Sequence, residues 1–231
     1  MSKIPDLWQE DANQLWVGTS RSLYRFDGNG FKNYKADLQG HVTSIAAQKN
    51  IIWVGTQDGL YRTFRSGLIR RGTPLPGQNI TSLAFDKRNG ELYVGMKEAG
   101  VARLIPAGKK KKNDSWAIYD TQDGLPDNSP LAMSVANNGN LWVAHKNAVA
   151  RFTRSRWSQV AFEGVQVQDI KSDRTGAIWI ATTGGLWKHV PEIVQANLTT
   201  IEATDESAEV LGEWIHYHTG NGLKGKSIFR V

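Results

Sequence analysis

His216 and His218 stand two apart in Trp214-Ile-His-Tyr-His218, a run whose composition reads as a strand, so both imidazoles fall on one face. That spacing suits two ligands of one metal. No carboxylate accompanies the pair, and edge or surface histidines have the same spacing, so no metal site is expected. Ser172-Asp173-Arg-Thr-Gly176-Ala-Ile-Trp179 approaches a Ser-x-Asp-x-Gly-x-x-Trp box with its spacing shifted by one, and reads as turn chemistry. Nucleophilic catalysis needs a nucleophile, a base and an orienting group within reach of one another. The chain has no cysteine and no Gly-x-Ser-x-Gly elbow, and no Gly-x-x-x-x-Gly-Lys-Ser/Thr run cradles phosphate. No cofactor and no enzymatic activity are expected. A carbohydrate-active enzyme is a minor alternative, because its paired carboxylates would come from separate segments of the chain.

The elements that would position any site come from an internal repeat. Leu15-Trp-Val-Gly-Thr19, Ile52-Trp-Val-Gly-Thr56, Leu92-Tyr-Val-Gly-Met96, Leu141-Trp-Val-Ala-His145 and Ile178-Trp-Ile-Ala-Thr182 align. A period near 40 residues with several short strands per unit is what a propeller blade requires. Upstream of each copy lies an apolar strand, joined to it by Asx-Gly turn chemistry such as Asp86-Lys-Arg-Asn-Gly90. Downstream come a third strand, typified by Leu23-Tyr-Arg-Phe26, and a fourth, typified by Trp116-Ala-Ile-Tyr119. The spacing of two, with aromatic and β-branched residues dominant, excludes a helical repeat. In the second strand Leu, Val and Thr share one face while Trp and Gly share the other. The tryptophan supplies area that joins blade to blade, and the glycine marks close approach, where a side chain beyond a methyl would collide.

The fold class is thus all-β: a β-propeller of five four-stranded antiparallel blades plus the first strand of a further blade. One domain covers 1–231, with repeats near 4–37, 42–73, 80–121, 131–162 and 167–219 and a partial one at 227–231. Both Ile4-Pro-Asp-Leu7 and Ser227-Ile-Phe-Arg-Val231 read as first strands. Two closures follow. Either the chain is part of a larger ring, or five blades close and the C-terminal strand supplements or displaces Ile4 to Leu7. Open blade edges in the first case would drive homo-oligomerisation.

These residues resemble the two-component regulator propeller repeat, whose pattern runs Asp-x-x-Gly-Asn-Leu-Trp-Ile-Gly-Thr and then Gly-Gly-Leu-x-Arg. Asp173 to Leu186 matches it closely, and Asp123-Gly-Leu-Pro-Asp-Asn-Ser129 and Asn221-Gly-Leu-Lys-Gly-Lys-Ser227 match its inter-repeat linkers. The resemblance covers residues 4–231. It implies the sensor β-propeller of bacterial hybrid two-component systems, with saccharide ligands or dimerisation in some members. The departures are Met96 and His145 for threonine, Ala144 and Ala181 for glycine, and insertions around Lys109–Lys112 and Pro191–Glu213.

The expected function is therefore a non-catalytic, ligand-sensing propeller; the alternative is a protein–protein interaction scaffold or assembly subunit. Partners dock on the loops that join fourth to first and second to third strands. The expected ligand-binding residues are His41, Lys97, Asn128, His145 and Lys146, around one mouth and where the repeat breaks its pattern. The partner is a small polar ligand, a saccharide by resemblance, or a protein. The net charge of +6 reads as a solvated surface, and the Lys109–Lys112 run lacks the interleaved aromatics of a nucleic-acid platform. No stretch is long enough to insert in a membrane. The location is extracytoplasmic if the chain belongs to a sensor. It is cytoplasmic if the chain is complete, since Met-Ser-Lys-Ile-Pro-Asp has no apolar signal core.

Overall fold

The computed structural model describes the chain apart from residues 1–5, 12–13, 21, 35–37, 39, 49–50, 65–66, 71–73, 108–112, 154, 190–208, 212–213, 222, 224, 226 and 229–230. The basic run and the larger insertion lie mostly outside the described residues. Two compact units emerge, residues 1–123 with 127–130, and 124–126 with 131–231.

The first unit holds three blades, each a four-stranded antiparallel sheet in sequence order. Blade one is β1 (Asp6–Asp11), β2 (Gln14–Gly18), β3 (Leu23–Phe26) and β4 (Phe31–Tyr34). Blade two is β5 (Val42–Gln48), β6 (Ile51–Thr56), β7 (Gly59–Phe64) and β8 (Gly67–Arg70). Blade three is β9 (Ile80–Asp86), β10 (Glu91–Met96), β11 (Gly100–Ile105) and β12 (Ser115–Tyr119).

The second unit holds blade four, β13 (Ala132–Val135), β14 (Leu141–His145), β15 (Ala148–Thr153) and β16 (Arg156–Ala161). Blade five is β17 (Val167–Ser172), β18 (Ile178–Thr182), β19 (Gly185–His189), β20 (Glu209–Leu211) and β21 (Trp214–Tyr217). Its order is β17-β18-β19-β21-β20, so this blade has five strands, not the expected four. The end of the insertion turns back on the fourth strand, with Glu209 opposite His216 and Leu211 opposite Trp214. An edge strand leaves a row of unpaired backbone groups, and β20 occupies that row here.

Both faces of each second strand are buried, as the motif requires. Trp53 packs into one cluster with Ile80, Leu83, Leu92 and Val94 of blade three, whereas Ile52 and Val54 join Trp16, Leu23 and Tyr34 of blade one. A Cβ built on Gly18 would lie 2.4 Å from Val42 Cγ1, and one on Gly55 would lie 2.6 Å from Ile80 Cγ2. Even a methyl therefore collides there, against β-branched side chains with little rotamer freedom. Gly55→Ala is expected to cost about 1–3 kcal/mol, measured as a fall in the urea midpoint. Gly30→Ala is the control, since a Cβ there meets nothing within 4 Å.

One regularity was not read from the sequence. The motif's aromatic on the second strand and its basic residue on the third are direct register partners in all five blades. They pair as Trp16–Arg25, Trp53–Arg62, Tyr93–Arg103, Trp142–Arg151 and Trp179–Lys188. The cation lies over the ring at 5.7 Å in blade one, 5.9 Å in blade three, 5.4 Å in blade four and 4.9 Å in blade five. The Arg or Lys of the repeat is therefore packing chemistry too, a cross-strand cation–π pair.

The C-terminal residues occupy the first-strand position of a further blade. Ile228 N donates to Thr182 O at 2.9 Å, as Val42 N donates to Thr19 O at 3.2 Å. Val231 N donates to Asp169 Oδ2 at 3.1 Å, as Leu83 N donates to Ser44 Oγ and Ser172 N to Ser134 Oγ. Meanwhile β1 pairs with β2 as the first strand of blade one, so this tail does not displace it.

Candidate functional site

The second-to-third-strand turns are built by the motif threonine in three blades. Thr56 Oγ1 donates to Gly59 O at 3.1 Å and accepts from Asp58 N at 3.1 Å. Thr182 does the same with Gly185 O and Gly184 N, and Thr19 with Ser22 O and Ser22 N. A hydroxyl that both donates and accepts closes such a turn from within. Met96 and His145 cannot reproduce the staple, and both side chains are fully buried.

Blade three builds its turn from a neighbouring loop instead. Lys97 N donates to Asn79 O at 2.9 Å, a bond whose counterparts Gln57 N and Thr183 N make in blades two and five, and blade three adds Glu98 N to Ser129 Oγ at 3.0 Å and Gly100 N to Asn128 O at 2.9 Å. Glu98 adopts φ 61°, a left-handed conformation that non-glycine residues rarely take. Thr121 N donates to Asn128 Oδ1 at 3.0 Å. Asn128 thus uses its main-chain and side-chain carbonyls to hold this turn and the linker before it. Lys97 and Glu98 are exposed, with Lys97 Nζ 3.8 Å from Glu98 Oε1.

The expected site residues separate accordingly. Lys97 and Asn128 are brought together by the bonded loops. His41 is exposed at the corresponding junction of blades one and two, where its carbonyl accepts from Gln57 N at 3.2 Å. In the second unit, Lys146 is exposed and its carbonyl accepts from Val167 N at 2.9 Å. His145, at 0% exposure, lies beneath it and presents no surface to a ligand. Sequence reasoning placed His145 at the mouth because it breaks the motif. It could not show that this position faces inward, as Thr56 and Thr182 do.

Beside Lys146 lies an open cleft of about 490 Å3, lined by Asn147, Phe162, Glu163, Gly164, Val165 and Gln166 among others. Phe162 is 6% exposed and meets Trp187 and Trp214 edge-on at 5.4 and 5.7 Å. Asn147, Glu163 and Gln166 are exposed at the cleft, a rim of amides and one carboxylate over an apolar base. Residues 162–166 were missed because they form a plain connection outside the repeated motif.

The two histidines of the paired motif are already engaged. His216 stacks on Trp187 with ring centroids 4.0 Å apart and 10° between planes, and its Nε2 lies 3.1 Å from Gly184 O. His218 Nδ1 accepts from Gly220 N at 3.0 Å. Among the described residues no group of three His, Asp or Glu side chains could hold a metal ion.

Asp173, in the box-like sequence, closes a first-to-second-strand turn. Its Oδ1 accepts from Thr175 N, Thr175 Oγ1 and Ala177 N, and its Oδ2 from Trp179 Nε1 at 2.8 Å. Slight burial pushes this carboxyl up, but the Thr175 and Trp179 donors outweigh it and hold its pKa below the usual value. A carboxylate depressed in the folded state adds stability above its unfolded pKa and loses it as pH falls through the folded value. Asp173→Asn should therefore flatten the decline of the thermal midpoint below about pH 4, with the neutral-pH midpoint also lower. An unchanged acid limb would show that Asp173 adds nothing to the pH dependence of stability.

No family model matches the sequence, and no curated protein matches it. Solved structures do match in fold. The extracellular domain of BT4673 from B. thetaiotaomicron, assigned to one-component signalling, superposes with a TM-score of 0.73 at 18% identity. That match covers 99% of this chain and 30% of that one. The extracellular domain of BT3049 from the same organism, assigned to a hybrid two-component system, gives 0.67 at 20% identity, covering 82% and 29%. Virginiamycin B lyase from Staphylococcus aureus, solved as an inactive variant with quinupristin, gives 0.65 at 13% identity, covering 82% and 67%. Extracellular domains and a lyase thus share the architecture. The chain spans under a third of the length of the two extracellular domains, and the likeness is one of fold: this chain is a β-propeller, an architecture those domains and the lyase share.

Proposed function

We propose that this chain is a non-catalytic, ligand-binding propeller that serves as part of the extracytoplasmic sensing region of a signalling protein. The supporting observation is the loss of the threonine staple in blades three and four alone. Those blades present exposed Lys97 and Lys146 on turns held by neighbouring loops, and a polar-rimmed cleft opens beside Lys146. Turns built by inter-loop bonds respond to whatever occupies the loops, which is what a sensor surface needs. The ligand is a small polar molecule, with saccharides the first class to test. In the first unit His41, Lys97 and Asn128 form or position such contacts; in the second Lys146 does, and His145 supports it from below.

The test is calorimetric titration with a panel of neutral and acidic saccharides and other small polar molecules. For a ligand found in this way, Lys97→Ala or Lys146→Ala should weaken binding about tenfold, roughly 1.4 kcal/mol. Unchanged affinity in both variants would move the site elsewhere. A second reading, the interaction scaffold, draws on the fourth strands of blades three and four. Ile118 on β12 and Val160 on β16 are 39% and 40% exposed. Self-association through those edges should appear as a concentration-dependent mass in light scattering.

A further inference from the structure

The register partners of the five blades provide an internal comparison, and blade two differs from blade three in one respect. In blade three, Glu91 is the first residue of β10. Its carboxylate accepts from Tyr93 OH at 3.1 Å, Arg103 Nε at 2.9 Å and Arg103 Nη2 at 2.7 Å. In blade five, the Asp173 carboxylate takes the Trp179 indole. A carboxylate at the first-to-second-strand end thus satisfies the ring donor in both blades, and in blade three the cation as well.

Blade two has the same donors without the acid. Ile51 is the first residue of β6, where Glu91 stands in β10, and the connection Gln48-Lys49-Asn50 holds no acidic residue. Trp53 is 3% exposed, and its Nε1 is buried without a hydrogen-bond partner. Arg62, its register partner, has its Nε buried in the same condition while the rest of the residue remains partly exposed. Buried donors in native proteins are satisfied by protein, water or a bound group, and a guanidinium edge and an indole N–H are both suited to an anion.

We infer that the Trp53–Arg62 pair is a binding site for a carboxylate supplied by an acidic peptide segment of a partner. The carboxylate takes the place that Glu91 fills in blade three, approached from the side on which Arg62 remains partly exposed. The site lies toward the first-to-second-strand end of the blade, away from the turn that carries Gln57 and Asp58. A partner there leaves the proposed ligand surface open. The net charge of +6 favours approach of an acidic chain.

Indole N–H resonances of the labelled protein test this directly. Nine tryptophans give nine signals, and Trp53→Phe identifies the one of interest. Acetate is exchanged for chloride at constant ionic strength, and a C-terminally amidated glutamate peptide is titrated against its glutamine counterpart. The Trp53 signal should move downfield and saturate with acetate and with the glutamate peptide, the peptide acting at lower concentration. Arg62→Met should abolish the response. Ile51→Glu, which gives the blade its own carboxylate, should move the signal without added anion and blunt the titration. A signal that ignores acetate, or follows chloride equally, overturns the site. Equal potency of acetate and peptide overturns the peptide partner.

Discussion

Trp142→Ala should lower the stability of the blade-four and blade-five unit by about 3–5 kcal/mol, the usual cost of deleting a buried aromatic. Trp142 is 4% exposed. Its ring lies 4.8 Å from His189 and 6.1 Å from Trp214, both on blade five, and Arg151 sits 5.4 Å above it. The residue therefore joins an inter-blade contact to a cross-strand cation–π pair, and alanine removes both. The same truncation leaves a cavity, because the facing strands are tied into their own sheets and cannot close on it. Chemical unfolding followed by tryptophan fluorescence measures the shift. Trp142→Phe keeps an aromatic surface for Arg151 and should lose less than half as much. Equal losses in the two variants would show that the ring phenylalanine retains restores neither the inter-blade contact nor the cation–π pair.

Glu91→Ala is expected to be comparably severe, at roughly 3 kcal/mol, because it breaks a largely buried ion pair from one side only. The Glu91 and Arg103 side chains are 8% and 21% exposed and 2.7 Å apart. Burial opposes the charge on Arg103, but the bonds to Glu91 and Tyr119 more than offset it and hold its pKa above the ordinary value. Burial likewise pushes the Tyr93 hydroxyl up. Alanine at position 91 leaves the guanidinium and the hydroxyl without their shared acceptor. Glu91→Gln keeps one acceptor and should recover part of the loss. If Glu91→Ala were as stable as the parent chain in urea, water would have replaced the carboxylate, and the comparison between blades two and three would lose its force.

The two experiments bear on how much the sequence says. The strands were legible because period-two alternation and Asx-Gly turns are local: φ/ψ preference and side-chain direction are decided within a few residues. The Trp and Gly of Leu-Trp-Val-Gly-Thr were legible as packing residues for the same reason, since repetition five times over points to a shared structural duty. Its arginine was not, because Trp16 and Arg25 meet only through hairpin register.

Acid-to-donor assignment was less legible still. In the sequence Glu91 merely follows the Asp86–Gly90 turn, and Asp173 looks like a displaced box. Glu91 reaches Tyr93 two residues along the same face of β10, and Asp173 reaches Trp179 because its turn brings it back over the ring.

The candidate site divides along the same line. Lys97 and Lys146 stand on turns whose position follows from the repeat, and they are exposed as turn residues generally are. Asn128 proved to be a brace, holding Thr121 and Gly100, because its surroundings come from two separate connections. His145 was placed at the mouth by its departure from the motif, yet the strand direction turns it inward, where burial is complete.

The sequence by itself determined an all-β repeat protein, its strand order within each blade and the residues reserved for blade packing. These follow from short-range stereochemistry repeated along the chain. Only the tertiary structure decided that blade five carries a fifth strand and that the C-terminal residues leave β1 in place beside β2. It also revealed which of the repeated aromatic–cation pairs has a carboxylate and which lacks one. Those outcomes depend on register and on neighbours some forty residues apart, where backbone hydrogen bonds and close packing choose among arrangements that the local pattern permits equally.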